Sequence, residues 1–593
     1  MMPDHRRLLT RWGRSLDAEH PLPEYPRPQL QRESYLNLNG RWDYAFRISD
    51  RLSTAWDGQI VVPFSPETEL SGVGRQLQPG EYLHYHRTWV MPDGFVDRHV
   101  LLHFGAVDQW CRVFVNGHLV GEHEGGYWPF SFVITEHLET DENHLHVIVQ
   151  DPSDSGVGAR GKQKLQPGGI WYTAQSGIWQ TVWLESVPQT YVTRLQIEPD
   201  LDRVDLVIHT SGEPGPSCDV DVLDGDTVVA RAQGTAGSLI RIPVPDPRPW
   251  SPENPFLYDL RVRAGTDEVR SYVGLRRFGV APDGDGVPRL QLNGQPYFHA
   301  GVLDQGYWPD GLYTAPSDEA FVHDIATMKD LGFTMLRKHI KIEPLRWYYH
   351  CDRLGMLVWQ DMVNGGGAYH RPVVEVPALT PSMRLKDKHH RLFARDDAHG
   401  REQWLAETAR TVDLLRNCVS VAVWVPFNEG WGQFDANAVA ERIKRSDPSR
   451  EVDHASGWHD QGGGDFTSLH VYFRPFRVPR RRAGGRVVAL SEYGGYSLHI
   501  NDHSSTAKAF GYRRFGTAEQ LLDAFRSLHT GQILPAVRRG LSATVYTQLS
   551  DVEDETNGLL TFDRRILKIP ADDVRAVIGR LRLETGLSGA AGA

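Results

Sequence analysis

The chain reads as a multidomain β plus α/β protein: a jelly roll, an immunoglobulin-like β-sandwich and a (β/α)8 barrel. Three observations predict this. The 593 residues exceed what one hydrophobic core organises, so about three domains are expected. From 30 to about 281 the apolar residues alternate or run over strand lengths, with no long helical period. From about 288 onward, apolar strand-like runs alternate with amphipathic helical stretches, the pattern of a parallel barrel.

Residues 1–29 are rich in Pro and Arg and are expected to form an arm. Over 30–188, LNLNGRWDYAF, HVLLHFGAVDQWCRVFVNGHLVGEH and NHLHVIVQD are strand-like, and Asn116-Gly117 marks a tight hairpin. This is the jelly roll. Over 189–281, YVTRLQIEPD, RVDLVIHT, CDVDVLDGD and FLYDLRVRAG have the spacing of an immunoglobulin-like sandwich. The third region, 282–593, enters through RLQLNGQPYFHAGVL. In SDEAFVHDIATMKDLG, Phe321, Ile325, Met328 and Leu331 fall at helical spacing. Ser317 is placed to cap that helix, Asp318 and Glu319 suit its first turn, and Gly332 ends it. FTMLRKH follows as a strand. EPLRWYYHCDRLG is the next helix, with Pro344 at its start and Gly355 at its end. The strands MLVWQD, SVAVWVPFNE and VVALSE alternate with the helical REQWLAETARTVDLLRNC and ANAVAERIKRSD.

Net charge is −11 and the pI about 6.2, which gives no general attraction to nucleic acid or to anionic membranes. The basic stretch RPFRVPRRRAGGR at 474–486 is broken by Pro and Gly and reads as a solvated loop. No run of about 18 apolar residues exists, so no membrane span is expected. The first residues, MMPDHRRLLTRWGRSLDAEH, are too polar for a signal-peptide core, which makes the cytoplasm the expected compartment. The four cysteines are widely spaced without a CxxC and read as buried thiols. No metal and no cofactor are expected. PDGDG at 282–286 and the acidic loop after 549 lack the ligand spacing of a calcium loop, and His389-His390 has no third partner. No Gly-rich phosphate loop sits between a strand and a helix. The 17 Trp and 21 Tyr fit either core packing or stacking against sugar faces.

The stretch VWVPFNEGWGQ at 423–433 locates candidate chemistry. In a parallel barrel the active site lies at the C-terminal ends of the strands. Glu429 falls just past one such end, and Glu492 falls at another, in RVVALSEYGGY. Two carboxylates on one barrel rim suit glycosidic bond cleavage, one as acid/base and the other as nucleophile. Asn428 is placed to bond a sugar hydroxyl beside the reacting carbon. Tyr472, between the two Glu, is placed to hold the nucleophile ionised, and Arg337 supplies positive charge. His339, Asp361 and His470 fall at strand ends, as further candidate substrate contacts. GVLDQGYWPDGLY after the first barrel strand adds Asp304, Gln305, Tyr307 and Trp308. YTQLSDVEDETNG after the last adds Gln548, Asp551 and Glu553.

The ordered series of segments resembles glycoside hydrolase family 2, the family of β-galactosidases, β-glucuronidases and β-mannosidases. LNLNGRWDYAF and HFGAVDQWCRVFVNGHLVGEHEGGYWPFSF resemble its N-terminal sugar-binding jelly roll. DPRPWSPENPFLYDLRV with VGLRRFGV resembles its immunoglobulin-like domain. FNEG and SEYGG resemble its acid/base and nucleophile segments. The resemblance implies Glu429 as acid/base, Glu492 as nucleophile and Tyr472 as the residue orienting it. It also implies that a jelly-roll loop reaches over the barrel mouth, which makes Asp154, Lys162 and Gln163 candidates. The expected activity is that of a retaining exo-β-glycosidase on a carbohydrate substrate, β-galactosidase-like in the first instance. The sequence departs from each main branch. It lacks the Asn-x-Lys of β-glucuronidases after Glu492, has KHIKIEP where the galactosidases read SHYP, and lacks the VWGGG-like segment of the mannosidases there, although LVWQD, with Asp361, resembles their third strand. A furanosidase (for arabinofuranosides or galactofuranosides) or a β-mannosidase is therefore the alternative activity. A non-catalytic carbohydrate-binding protein is the alternative of a different class. Homo-oligomers, common in the family, are a possible assembly.

Overall fold

The computed structural model describes residues 8–92, 95, 99–380, 383–479, 485–506 and 510–583. Residues 1–7 of the arm and 480–484 of the basic stretch lie outside these. A six-stranded antiparallel sheet, from Gly40–Arg47 to Asn143–Gln150, packs on a four-stranded one containing His99–Phe104 and Val182–Val187. Trp42, Leu83, Val113, Leu145 and Leu184 fill the space between. The hairpin forms where Asn116-Gly117 directs it. Both residues take positive φ, 49° and 81°, the conformation a two-residue turn needs between twisted strands.

The second unit sandwiches a three-stranded sheet, which includes Arg203–Thr210, against a four-stranded one, which includes Ser217–Asp224. Alternating positions such as Val204, Leu206 and Ile208 form its core. Arg32 joins the two β units. It ion-pairs with Glu185 at 2.9 Å and with Asp267 at 2.8 Å. A three-stranded sheet over Phe278–Pro282, Pro288–Leu292 and Gln295–Pro296 leads into the third unit.

That unit is a parallel eight-stranded barrel. Its strands are β1 (His299–Asp304), β2 (Met335–Lys338), β3 (Leu357–Asp361), β4 (Val421–Val425), β5 (Glu451–Val452), β6 (Phe466–Val471), β7 (Val487–Gly494) and β8 (Leu541–Thr547). The spatial order is β5-β4-β3-β2-β1-β8-β7-β6. The ring closes between β5 and β6 through Asp465, whose backbone N–H donates to Val452 O at 2.9 Å and whose carboxylate accepts from Val452 N at 2.8 Å. Strands are buried on both faces, which is why they read as continuous apolar runs.

The outer helices include α1 (Asp318–Asp330), α2 (Leu345–Leu354), α3 (Ala398–Leu415) and α4 (Ala436–Ser446). Gly355 ends α2 in the left-handed region at φ 73°, its N–H bonding Cys351 O. Ser317 holds the cap position of α1, but its hydroxyl makes no capping bond. Asp318 in the first turn instead pairs with Arg346 and His350 on α2. All four cysteines are free and buried. No described helix is long and apolar enough to cross a membrane. The described part of the arm is pinned to the chain's own barrel. Thr10 bonds Asp310 Oδ2 from its N–H at 2.8 Å and its hydroxyl at 2.7 Å.

Candidate active site

The site is organised around Arg337, the third residue of β2, which has 0% of its side chain exposed. A buried guanidinium must place all five of its N–H groups. Nε and Nη2 grip Asp361, at the end of β3, at 2.9 and 3.0 Å. Nη2 also donates to Asn428 Oδ1 at 2.9 Å. Nη1 donates to Ser491 O at 3.0 Å and Glu492 Oε1 at 3.2 Å. One cation thereby holds the ends of β3, β4 and β7 in register. Asp361 takes a further bond from His339 Nδ1 at 2.8 Å, and burial keeps the His339 pKa well below the usual histidine range.

β4 ends at Val425, and Asn428 and Glu429 follow on the loop. The parallel bridge of Asn428 to Ser456 and the bond from Glu429 N to Ser456 O at 2.9 Å fix that loop. Glu429 adopts φ 51° and Gly430 φ 76°. A Cβ on Gly430 would lie 2.7 Å from His459, so the glycine of FNEG is required by both conformation and space. Glu492 lies inside β7 rather than at its end. The β6–β7 ladder shifts register between Leu469 and His470, which brings His470 opposite Glu492.

Glu492 is held from two sides. Besides Arg337, it accepts the Tyr472 hydroxyl on Oε2 at 2.5 Å. Thr547, at the end of β8, donates in turn to the Tyr472 oxygen at 2.9 Å, and Tyr512 stacks on the Tyr472 ring with centroids 3.8 Å apart. Glu429 Oε1 lies 2.8 Å from His470 Nδ1. His470 Nε2 faces Arg337 Nη1, which can only donate, at 3.4 Å, so the proton sits on Nδ1 and is donated to Glu429. Burial lowers the His470 pKa to about 4, which keeps the ring neutral. Burial raises that of Glu429 to about 7, against smaller opposing effects of Lys162 and Arg337.

One atom each of Glu429, His470 and Glu492 fall within 4.8 Å of one another. The two carboxylates therefore approach closely. These atoms could also ligate a divalent cation, but the 2.8 Å contact between His470 and Glu429 already satisfies that pair with a proton.

Arg337, His339, Asp361, Asn428, Glu429, His470, Tyr472 and Glu492 thus form one connected network. The other candidates go elsewhere. Asp304 is not presented to a ligand, because Lys338 at 2.7 Å and Gly306 N at 2.9 Å occupy its two oxygens. Trp308, expected to touch sugar, is 2% exposed and enclosed by Trp12 of the arm, Phe321 and Arg564. Gln548 is spent on Gln305 at 2.7 Å and Asn557 at 2.7 Å, and it reaches Glu555 at 3.2 Å. Asp551 pairs with Lys568, and Glu553 accepts Thr173 N. Tyr307 packs against Tyr172 and Tyr313.

The jelly-roll loop does cover the barrel mouth. Arg160 donates to Gly366 O at 2.5 Å and Gly367 O at 3.2 Å, and Tyr172 donates to Glu555. Trp171 from this loop, Tyr369 and Trp431 cluster with centroids 5.0 to 6.2 Å apart, and Trp171 and Tyr369 are half-buried. Trp431, Tyr512 and Glu555 are parts of the site that strand-end reasoning did not name. Of these, Trp431 carried a signal, two residues past Glu429.

Family models described as "Glycosyl hydrolases family 2" match three successive segments: the sugar binding domain at 77–188, a second domain at 190–276 and the TIM barrel domain at 291–475. A β-galactosidase of Photobacterium profundum is 27% identical over 381 residues, covering 60% of this chain and 34% of that one. One of Lactococcus lactis is 25% identical over 499 residues, covering 77% and 44%. The chain spans between a third and a half of the length of these curated relatives. Among solved structures, a β-glucuronidase of Dictyoglomus thermophilum superposes with TM-score 0.71 at 17% identity, covering 94% of this chain and 98% of that one. A β-galacturonidase of Eisenbergiella tayi gives 0.68 at 19%, covering 93% and 98%. These likenesses establish a shared fold.

Proposed function

Because the chain belongs to glycoside hydrolase family 2, we propose that it is a retaining exo-β-glycosidase, with Glu429 as acid/base and Glu492 as nucleophile. The observation that carries this reading is the approach of the two carboxylates to within 4.8 Å. Retaining enzymes place them about 5–5.5 Å apart, whereas inverting enzymes leave roughly 6.5–9.5 Å for a water.

Each carboxylate has the environment its role needs. Glu429, with a pKa of about 7, keeps its proton in a neutral medium and gives it to the glycosidic oxygen as the bond breaks. Glu492, bonded by Arg337 and Tyr472, attacks the anomeric carbon from the opposite face and forms a glycosyl-enzyme. Glu429, now ionised, takes a proton from water, which displaces Glu492 and releases the sugar. Among the described residues the buried Asn428 Nδ2 group has no hydrogen-bond partner, which suits it to donate to the hydroxyl beside the anomeric carbon. The jelly-roll loop over the mouth supports action on a terminal residue. The relatives' names support a galacto-configured sugar as the first to test.

The test is hydrolysis of nitrophenyl glycosides: β-galactoside, β-glucoside, β-glucuronide, β-galacturonide, β-mannoside and the two furanosides. Product configuration is followed by NMR. Expected are turnover with retention, loss of hydrolysis in Glu492→Ala, and restored turnover of an activated glycoside in Glu429→Ala when azide is added. Inversion, or full activity in Glu492→Ala, would remove the assignment.

A further inference from the structure

We propose that Lys162, supplied by the jelly-roll domain, is the group with which this site reads a negative charge on its substrate, so that the glycosides it selects are anionic. The class is a sugar bearing a carboxylate or a sulfate. This rests on the glycosidase reading and adds the substrate class to it.

Four lysines are buried among the described residues: Lys162, Lys338, Lys341 and Lys568. Three have an anionic partner. Lys338 pairs with Asp304 at 2.7 Å and Glu343 at 2.8 Å, Lys341 with Glu343 at 2.9 Å, and Lys568 with Asp551 at 2.6 Å. Lys162 is 6% exposed, yet among the described residues its ammonium has neither an ion pair nor a hydrogen bond. The side chain is enclosed while the ammonium keeps some accessible surface, so its three donors stay open to an incoming acceptor.

The ammonium faces the catalytic gap. It lies 5.3 Å from the centre of the Tyr172 ring and 5.8 Å from that of Trp431, two residues beyond Glu429. Its field is felt at both Glu429 and His339. The carboxylates around it are committed elsewhere: Glu492 to Arg337 and Tyr472, Glu555 to Tyr172 and Gln548, Glu429 to His470. None of them closes on Lys162, and the gap between them is where the sugar must sit. Two aromatic faces stabilise a cation without neutralising it, so the strongest remaining partner is an anion brought by the ligand.

The backbone holds this lysine in place. The N–H groups of Arg160 and Gly161 both donate to Asn364 O, at 3.0 and 3.2 Å. Gly161 has φ 65°, and a Cβ there would lie 2.8 Å from the Tyr313 hydroxyl and 2.9 Å from Ile340 O. The jelly roll is thus pressed onto the barrel at the residue before Lys162. Gln163 and Asp154, the other two candidates of this loop, are held within the jelly roll. Gln163 bonds Asp108 and Tyr127, and Asp154 pairs with Lys164.

The test compares matched anionic and neutral sugars on the full chain, with Lys162→Met and Lys162→Arg. Calorimetry measures binding of D-galacturonate against D-galactose, D-glucuronate against D-glucose, and galactose 6-sulfate against galactose. The matched nitrophenyl glycosides give the ratio of kcat/KM. The native chain is expected to prefer one anionic sugar. Lys162→Met should cut that anionic-to-neutral ratio by roughly 10- to 150-fold, the loss of a charge-assisted hydrogen bond, and Lys162→Arg should recover part of it. The carboxylate and sulfate arms identify the anion.

The inference is overturned if no anionic sugar binds more tightly than its neutral partner. It is equally overturned if Lys162→Met leaves the ratio unchanged or weakens both partners alike. Binding is read without turnover, so the two readings fail separately. A preferred anion with no hydrolysis of any glycoside defeats the glycosidase reading, while hydrolysis without anionic preference defeats only this one.

Discussion

Glu429→Gln should stabilise the protein at pH 8 by far more than at pH 4.5. Burial raises the Glu429 pKa from the ordinary 4.5 to about 7. The folded state therefore binds this proton more tightly than the unfolded chain does. Below about pH 4.5 both states are protonated and burial exacts no electrostatic penalty. As pH rises toward 7 the unfolded chain ionises freely while the fold resists, and stability is lost until the folded group ionises too. The full difference is about 2.5 units at 1.36 kcal/mol each, or about 3 kcal/mol. Glutamine carries no titrating group and escapes this. For a barrel of about 300 residues with an unfolding entropy near 2.1 cal/mol/K per residue, 3 kcal/mol corresponds to about 5 °C. The assay is the thermal midpoint of native and Glu429→Gln chains at both pH values and one scan rate. The gap between them should widen by about 5 °C from pH 4.5 to pH 8. All other titrating groups are common to both chains, so a gap independent of pH would refute the raised pKa and with it the acid assignment.

Three further outcomes are expected. Tyr472→Phe removes the 2.5 Å hydroxyl bond to Glu492 and should lower kcat/KM by roughly 10- to 150-fold with little change in melting temperature; steady-state kinetics with a melting curve checks both. Asn428→Ala should lower kcat/KM for a full substrate by at least about 10-fold but add little to the loss already caused by a 2-deoxy substrate, a double-mutant cycle that pairs the amide with that hydroxyl. Glu343→Gln removes the anionic partner of Lys341 and leaves Lys338 with Asp304 alone, and should cost about 3–5 kcal/mol of stability, read as a fall in thermal midpoint.

The barrel and its rim were legible because parallel strands read as near-continuous apolar runs. A polar residue at the end of such a run, like Asn428 after SVAVWVPF or Arg337 in FTMLRKH, has to lie on the rim. Strand-end position does not say what covers a side chain, and there the reading failed. Asp304 sits at a strand end, but Lys338 on the neighbouring strand claims it. Trp308 is closed off by Trp12, almost 300 residues earlier in an arm with no periodicity. Glu555 and Tyr512 lie in irregular segments where no spacing predicts direction, and the partner of Glu555, Tyr172, is 383 residues away. Ser317 has the residue type and the position of a cap, yet Asp318 beside it makes the contacts to Arg346 and His350. Propensity cannot foresee an ion pair with the next helix.

The fastening of Arg160 and Gly161 to Asn364 and Gly366 has a consequence for how such a protein diversifies. The two carboxylates and their supports come from β2, β3, β4, β6, β7 and β8, while the loop roofing them is encoded more than 150 residues before the first of these strands. On the proposed roles, bond-breaking and the reading of substrate charge are written in separate stretches of the gene. On that reading, residues 151–173 are the stretch whose exchange would change specificity while Glu429, Glu492 and Arg337 stay untouched. A barrel cut away from the β domains would keep Glu429, Glu492 and Asn428 but lose Lys162 and the roof that holds it over them.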